Sequence, residues 1–151
     1  MERPIRHFVA AAAALGVVTG LAIFLGGTTP ATSYIGDVLD LALLATAFFA
    51  GRQARREGRR PGWLGGLVGA VGGFLSGLGY LGVTLPVSRF HTVTTPAGLR
   101  ETAAQQAAVA NGVGAHVGAI IGVTLVLGLF GILAGTVGGA TGQPPGSTRA
   151  V

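Results

Sequence analysis

The stretch Gly65–Gly77, GGLVGAVGGFLSG, decides how this chain folds. Gly65, Gly69, Gly73 and Gly77 recur every four residues, and the residues between them are largely apolar. In a water-soluble helix each glycine costs about 0.8–1 kcal/mol relative to alanine, so such a stripe is a poor way to build one. A bilayer changes the balance. Lipid tails are as apolar as leucine, so helices gain little by burying large side chains against one another. They gain by close backbone approach, which small residues at four-residue spacing permit. The backbone there also meets no water that competes for its hydrogen bonds. The stretch therefore predicts a transmembrane helix whose glycine face meets another helix. Gly62, Gly66 and Ala70 form a second, adjacent small row.

The flanking sequence supports the same assignment. Of 151 residues, 50% are hydrophobic and 10% charged, where soluble domains carry about 25% charged. The charges are bunched, leaving apolar runs over about 8–27, 34–51, 62–85 and 113–140. Each approaches or exceeds the roughly 20 residues that cross a bilayer. The fold class expected is all-α: a polytopic four-helix transmembrane bundle forming one domain over 1–141. The tail over 142–151 is polar and expected to be disordered. Residues 1–31 resemble a secretory signal only in part. The apolar run exceeds the usual 7–15 residues and no A-x-A site follows, so the first span is expected to be retained.

Ten arginines and no lysine make the net charge +5. Arg52, Arg55, Arg56, Arg59 and Arg60 lie between spans two and three, Arg3 and Arg6 precede span one, and Arg149 follows span four. Only Arg89 and Arg100 fall on the other side. This bias predicts that both termini are cytoplasmic, in a bacterial plasma (inner) membrane. It also explains the basicity without nucleic acid. The same arginines can meet anionic lipid headgroups. Tyr34, Trp63 and Tyr80 are expected as interfacial anchors.

Two connections carry helix signals. Pro30 and its hydroxyl neighbours form a tight turn between spans one and two. In the outer connection, 86–112, Thr95 and Pro96 suggest a helix start, with a short helix over Leu99–Ala110 before the break at Asn111-Gly112. Small-residue rows recur elsewhere: Ala12, Gly16 and Gly20 in span one; Ala42, Thr46 and Ala50 in span two. Span four has Gly114, Gly118 and Gly122, then Gly131, Gly135 and Gly139. These rows predict helix packing, within the chain or with a second copy.

Asp37 and Asp40 are the acids within a span, three residues apart on one helix face. With Tyr34 at the interface, Asp37 is expected in the first helical turn, where the dipole favours an anion. Asp40 lies deeper and is expected to face the bundle interior. His116, at the same end of span four, is the expected partner, with Arg89 and His91 within reach of Asp37. The candidate site is thus the cluster Asp37, Asp40, Arg89, His91 and His116. No ligand-spacing motif suggests a metal, and no cofactor is expected. There are no cysteines. Walker, zincin, nucleophile-elbow and dinucleotide motifs are all missing from the sequence, so no enzyme is expected.

From Phe48 to Leu81 the chain reads as a span ending Phe49-Ala50-Gly51, a basic loop, then Gly62-Trp63-Leu64-Gly65-Gly66-Leu67-Val68-Gly69. This resembles small four-span bacterial membrane proteins that have no settled activity. The resemblance implies architecture and carries no site residues; the long connection over 86–112 departs from it. Function follows in outline. A packing or accessory subunit with a membrane-protein partner or a second copy is the first expectation. A small proton-linked transporter or channel using Asp40 and His116 is the second, and a holin-like pore the third.

Overall fold

The computed structural model describes residues 3–27 and 29–142. Four long helices, α1 (Arg3–Gly26), α2 (Pro30–Arg56), α3 (Pro61–Gly77) and α5 (Val113–Thr141), are joined by a short α4 (Ala103–Ala110) in the outer connection. A 3-10 turn, Leu78–Gly82, continues α3. With that turn included, all four long helices are long and apolar enough to cross a membrane. A two-residue hairpin, β1 (Val93–Thr94) and β2 (Arg100–Glu101), is the one sheet among the described residues.

The helix ends follow from local chemistry. At α1, Gly27 takes a left-handed φ of 60° and donates its N–H to Ile23. Thr29 and Thr32 then cap α2 reciprocally, and Pro30 opens its first turn. α2 closes on Gly58 at φ 69°, where Arg59 N–H reaches Ala54 and Gly58 N–H reaches Arg55. This is the glycine-terminated pattern that satisfies the last carbonyls of a helix.

Several boundaries correct the sequence-based expectation. α2 starts at Pro30, so Asp37 sits two turns inside the helix and is not held by its N-terminal dipole. Arg52, Arg55 and Arg56 belong to the last turns of α2, leaving only Arg59 and Arg60 in the connecting loop. The connector helix begins later than expected. Thr95 and Pro96 instead close the β1–β2 hairpin: Thr95 N–H donates to Leu99 and Gly98 N–H to Thr95. The true N-cap is Thr102, paired reciprocally with Gln105. A hydroxyl followed three residues later by glutamine is a sequence signal for this cap. The tail expected to be disordered lies, apart from Gly142, outside the described residues.

α2 and α3 pack on one another and on both remaining long helices, while α1 and α5 sit on opposite sides of that pair. The core is made of small and medium side chains: Leu43, Ala47, Ala50, Ala54, Leu64, Val68 and Leu127 are buried. Glycine sets the spacing. A Cβ at Gly65 would strike Gly131 and Gly135, one at Gly69 would strike Leu127 and Gly131, and one at Gly77 would lie 3.0 Å from Ile120 Cα. The stripe is therefore an internal seam between α3 and α5. Gly72 admits Leu43 of α2, and Gly16 and Gly20 of α1 meet α3 backbone.

Gly114, Gly118 and Gly122 behave differently. No atom of another segment lies within 4 Å of a Cβ built on any of them. Among the described residues nothing packs closely against them.

Candidate functional site

The polar site lies near the α1–α2 turn. α2 brings Asp37, Asp40, Thr32 and Ser33 to one cavity; α1 adds Thr19, α3 adds Ser76, and the 3-10 turn adds Tyr80. Its volume is about 180 Å³, room for several water molecules. Asp37 is exposed and Asp40 half-buried. Their three-residue spacing places both carboxyls on the same side of α2. Among the described residues no basic side chain lines this cavity. Two acids without a lining cation give it a negative potential, which favours protons and other cations.

The hydroxyls are not equivalent. Thr19, Thr46, Thr124 and Thr136 each return their O–H to the carbonyl four residues earlier. Such back-bonds satisfy a hydroxyl inside a helix. Ser76, only 3% exposed, makes no such bond and lines the cavity. Tyr80 also lines it, half-buried, rather than standing out as an interfacial anchor. Tyr34 and Trp63 are exposed, at 71% and 75%.

The five-residue cluster expected from sequence divides. Asp37 and Asp40 share the cavity; Arg89, His91 and His116 do not line it. Arg89 and His91 are exposed residues of the outer connection. His116 is engaged elsewhere: Nδ1 lies 3.0 Å from the Gly112 carbonyl oxygen and Nε2 3.0 Å from that of Val83. Asn111 holds the same segment. Its Oδ1 accepts from Leu85 N–H at 2.7 Å, and its Nδ2 donates to Leu85 O at 2.9 Å. These two side chains tie the start of α5 to the chain leaving α3. Asn111 was visible in the sequence only as a helix break, because its partner is 26 residues away.

The described residues contain no group of three metal-ligating side chains. The core between the helices is apolar. Leu43, Ala47, Val68 and Leu127 fill the space between the helices, and glycine contacts bring the backbones of α3 and α5 together. The arrangement is a polar cavity at one end of an otherwise closely packed bundle.

Fold and cavity together define the class: a helical, polytopic membrane protein with four candidate spans. Comparison with protein-family models, with curated proteins and with solved structures finds no match for this chain.

Proposed function

We propose that this chain is a non-enzymatic protein of the bacterial plasma membrane, with both termini cytoplasmic, that takes up and releases a proton at Asp40. The observation that carries this is the cavity itself, where Asp37, Asp40 and the buried Ser76 hydroxyl meet with no lining basic group. The arginine bias supports an outward-facing position for that end of the bundle. An intramembrane carboxylate is costly unless it faces water or a partner, and such residues mark proton and ion pathways. His116 is left out of the site, since both its ring nitrogens face backbone carbonyls. The closely packed half of the bundle argues for a carrier or a coupling subunit and against a holin-like pore.

The test is proton movement in liposomes holding the purified protein under an imposed pH gradient. Wild type is expected to carry a flux that Asp40→Asn abolishes and His116→Gln retains. An undiminished flux in Asp40→Asn removes the proposal. Lysis on induction would instead restore the pore.

Accessory association is a second function, favoured by a separate feature. Gly114, Gly118 and Gly122 form an uncovered small row on α5, a surface that a membrane helix of a partner or of a second copy fits. Mass measurement of the protein extracted in mild detergent tests it directly: a strictly monomeric particle with no co-purifying chain argues against association.

A further inference from the structure

At the opposite end of the molecule, the α3–α5 groove joins a basic recess to an apolar channel. The recess, about 400 Å³, is lined by Arg55, Pro61, Thr136, Gly139, Ala140 and Gly142. Arg55 is exposed, and Arg52, Arg56, Arg59 and Arg60 crowd the same end of the bundle. Arg52 Nε is buried without a hydrogen-bond acceptor. α3 starts here with no side-chain cap. Pro61, its first residue, lines the recess, so the positive end of the helix dipole lies at this end of the groove.

Further along the same groove the lining becomes apolar. Trp63, Gly66 and Ala70 of α3 face Leu125, Gly128 and Ile132 of α5 around about 310 Å³. Gly66 and Gly128 keep the floor low. The channel follows α3 from Trp63 to Ala70, roughly 10 Å at the helical rise. Ile132 and Thr136 lie one turn apart on α5, so recess and channel follow one another along a single face.

We propose that this groove is a binding site for one anionic glycerophospholipid, its phosphate in the recess at Arg55 and one acyl chain in the channel beside Trp63. Charge complementarity selects the occupant. Among the described residues the recess presents one cation, Arg55, and no carboxylate, and the channel is lined largely by apolar residues. A free anion would leave the channel unfilled, and a zwitterionic lipid would bring its own cation to the arginines. Guanidinium groups suit phosphate because they offer several donors in a fixed plane.

Native mass spectrometry of the detergent-purified chain, with phosphatidylglycerol or phosphatidylcholine of identical acyl chains, tests the site. Wild type is expected to retain phosphatidylglycerol roughly fivefold better or more, the weight of one arginine at an anionic surface. Arg55→Gln should bring the ratio near one. Arg56→Gln removes the same charge outside the recess and should leave the ratio unchanged. Gly128→Leu should lower retention of both lipids, since a Cβ there sits 3.7 Å from Ala70 Cβ without clash and the side chain then fills the channel. Equal retention of the two lipids by wild type overturns the proposal. So does an equal effect of Arg55→Gln and Arg56→Gln, which would mean a diffuse basic surface. Unchanged retention in Gly128→Leu also overturns it.

Discussion

Two rows of glycine with the same spacing have opposite fates in this molecule. Gly65, Gly69, Gly73 and Gly77 of α3 all meet α5, with backbone atoms of Ile120, Val123, Leu127, Gly131 and Gly135 on the other side. Gly114, Gly118 and Gly122 of α5 meet no other segment among the described residues. Burial separates the helices as sharply. In the most apolar stretch of the α3 span 56% of residues are buried, against 11% in that of α5. The spacing of small residues thus permits close approach without choosing a partner. What decides is which face of each helix turns inward, and whether a neighbour of sufficient length runs beside it. α3 gives way to a 3-10 turn at Leu78, and the chain has left helical form by Val83. The first turns of α5 therefore have Val83–Leu85 beside them, held by Asn111 and His116.

Breaking the packed row should have the largest effect. Gly69→Leu forces a side chain into the Leu127 carbonyl and is expected to cost more than about 3 kcal/mol, enough to lose the folded bundle. Thermal unfolding by circular dichroism in detergent reads it, and a wild-type transition would show that α3 and α5 are not in contact there. Gly131→Ala probes the same seam more gently. Its Cβ would meet the Gly65 carbonyl, with an expected loss of about 1–3 kcal/mol in the same assay.

The unpacked half should respond to different changes. Asn111→Ala removes both side-chain hydrogen bonds to Leu85 and is expected to cost about 1–2 kcal/mol. Faster hydrogen exchange at the Leu85 amide, with the α3–α5 seam still protected, would localise the loss. Gly118→Leu, by contrast, should change the unfolding midpoint of the isolated chain by less than about 0.5 kcal/mol, as expected of a site touching nothing. A clear destabilisation of monomeric Gly118→Leu would mean that this row is covered within the chain after all.

Part of this contrast was legible in the sequence. From Gly122 to Gly131 is nine residues, and at 3.6 residues per turn nine residues are two and a half turns. Gly122 and Gly131 therefore face opposite ways, so the two rows of α5 are not one continuous stripe. Which row faced inward was not legible, because α5 is apolar on every side and offers no polar face to mark the outside. The site divided in a similar way. Asp37 and Asp40 on one face of α2 follow from their spacing. Their companions Thr19, Ser76 and Tyr80 come from other segments, and hydroxyls in an apolar run carry no periodic signal. His116 shared an end of the molecule with Asp40, but depth along a helix does not fix direction around it.

By itself, then, the sequence determined the helices, their apolar lengths and the need for close contact at Gly65–Gly77. These properties depend on residues near one another in the chain. Only the tertiary structure decided that α5 fills the seam, that Ser76 and Tyr80 join the acids, and that Asn111 and His116 hold the loose end of α5. Those choices rest on which faces meet, and facing requires coordinates of segments far apart in the chain.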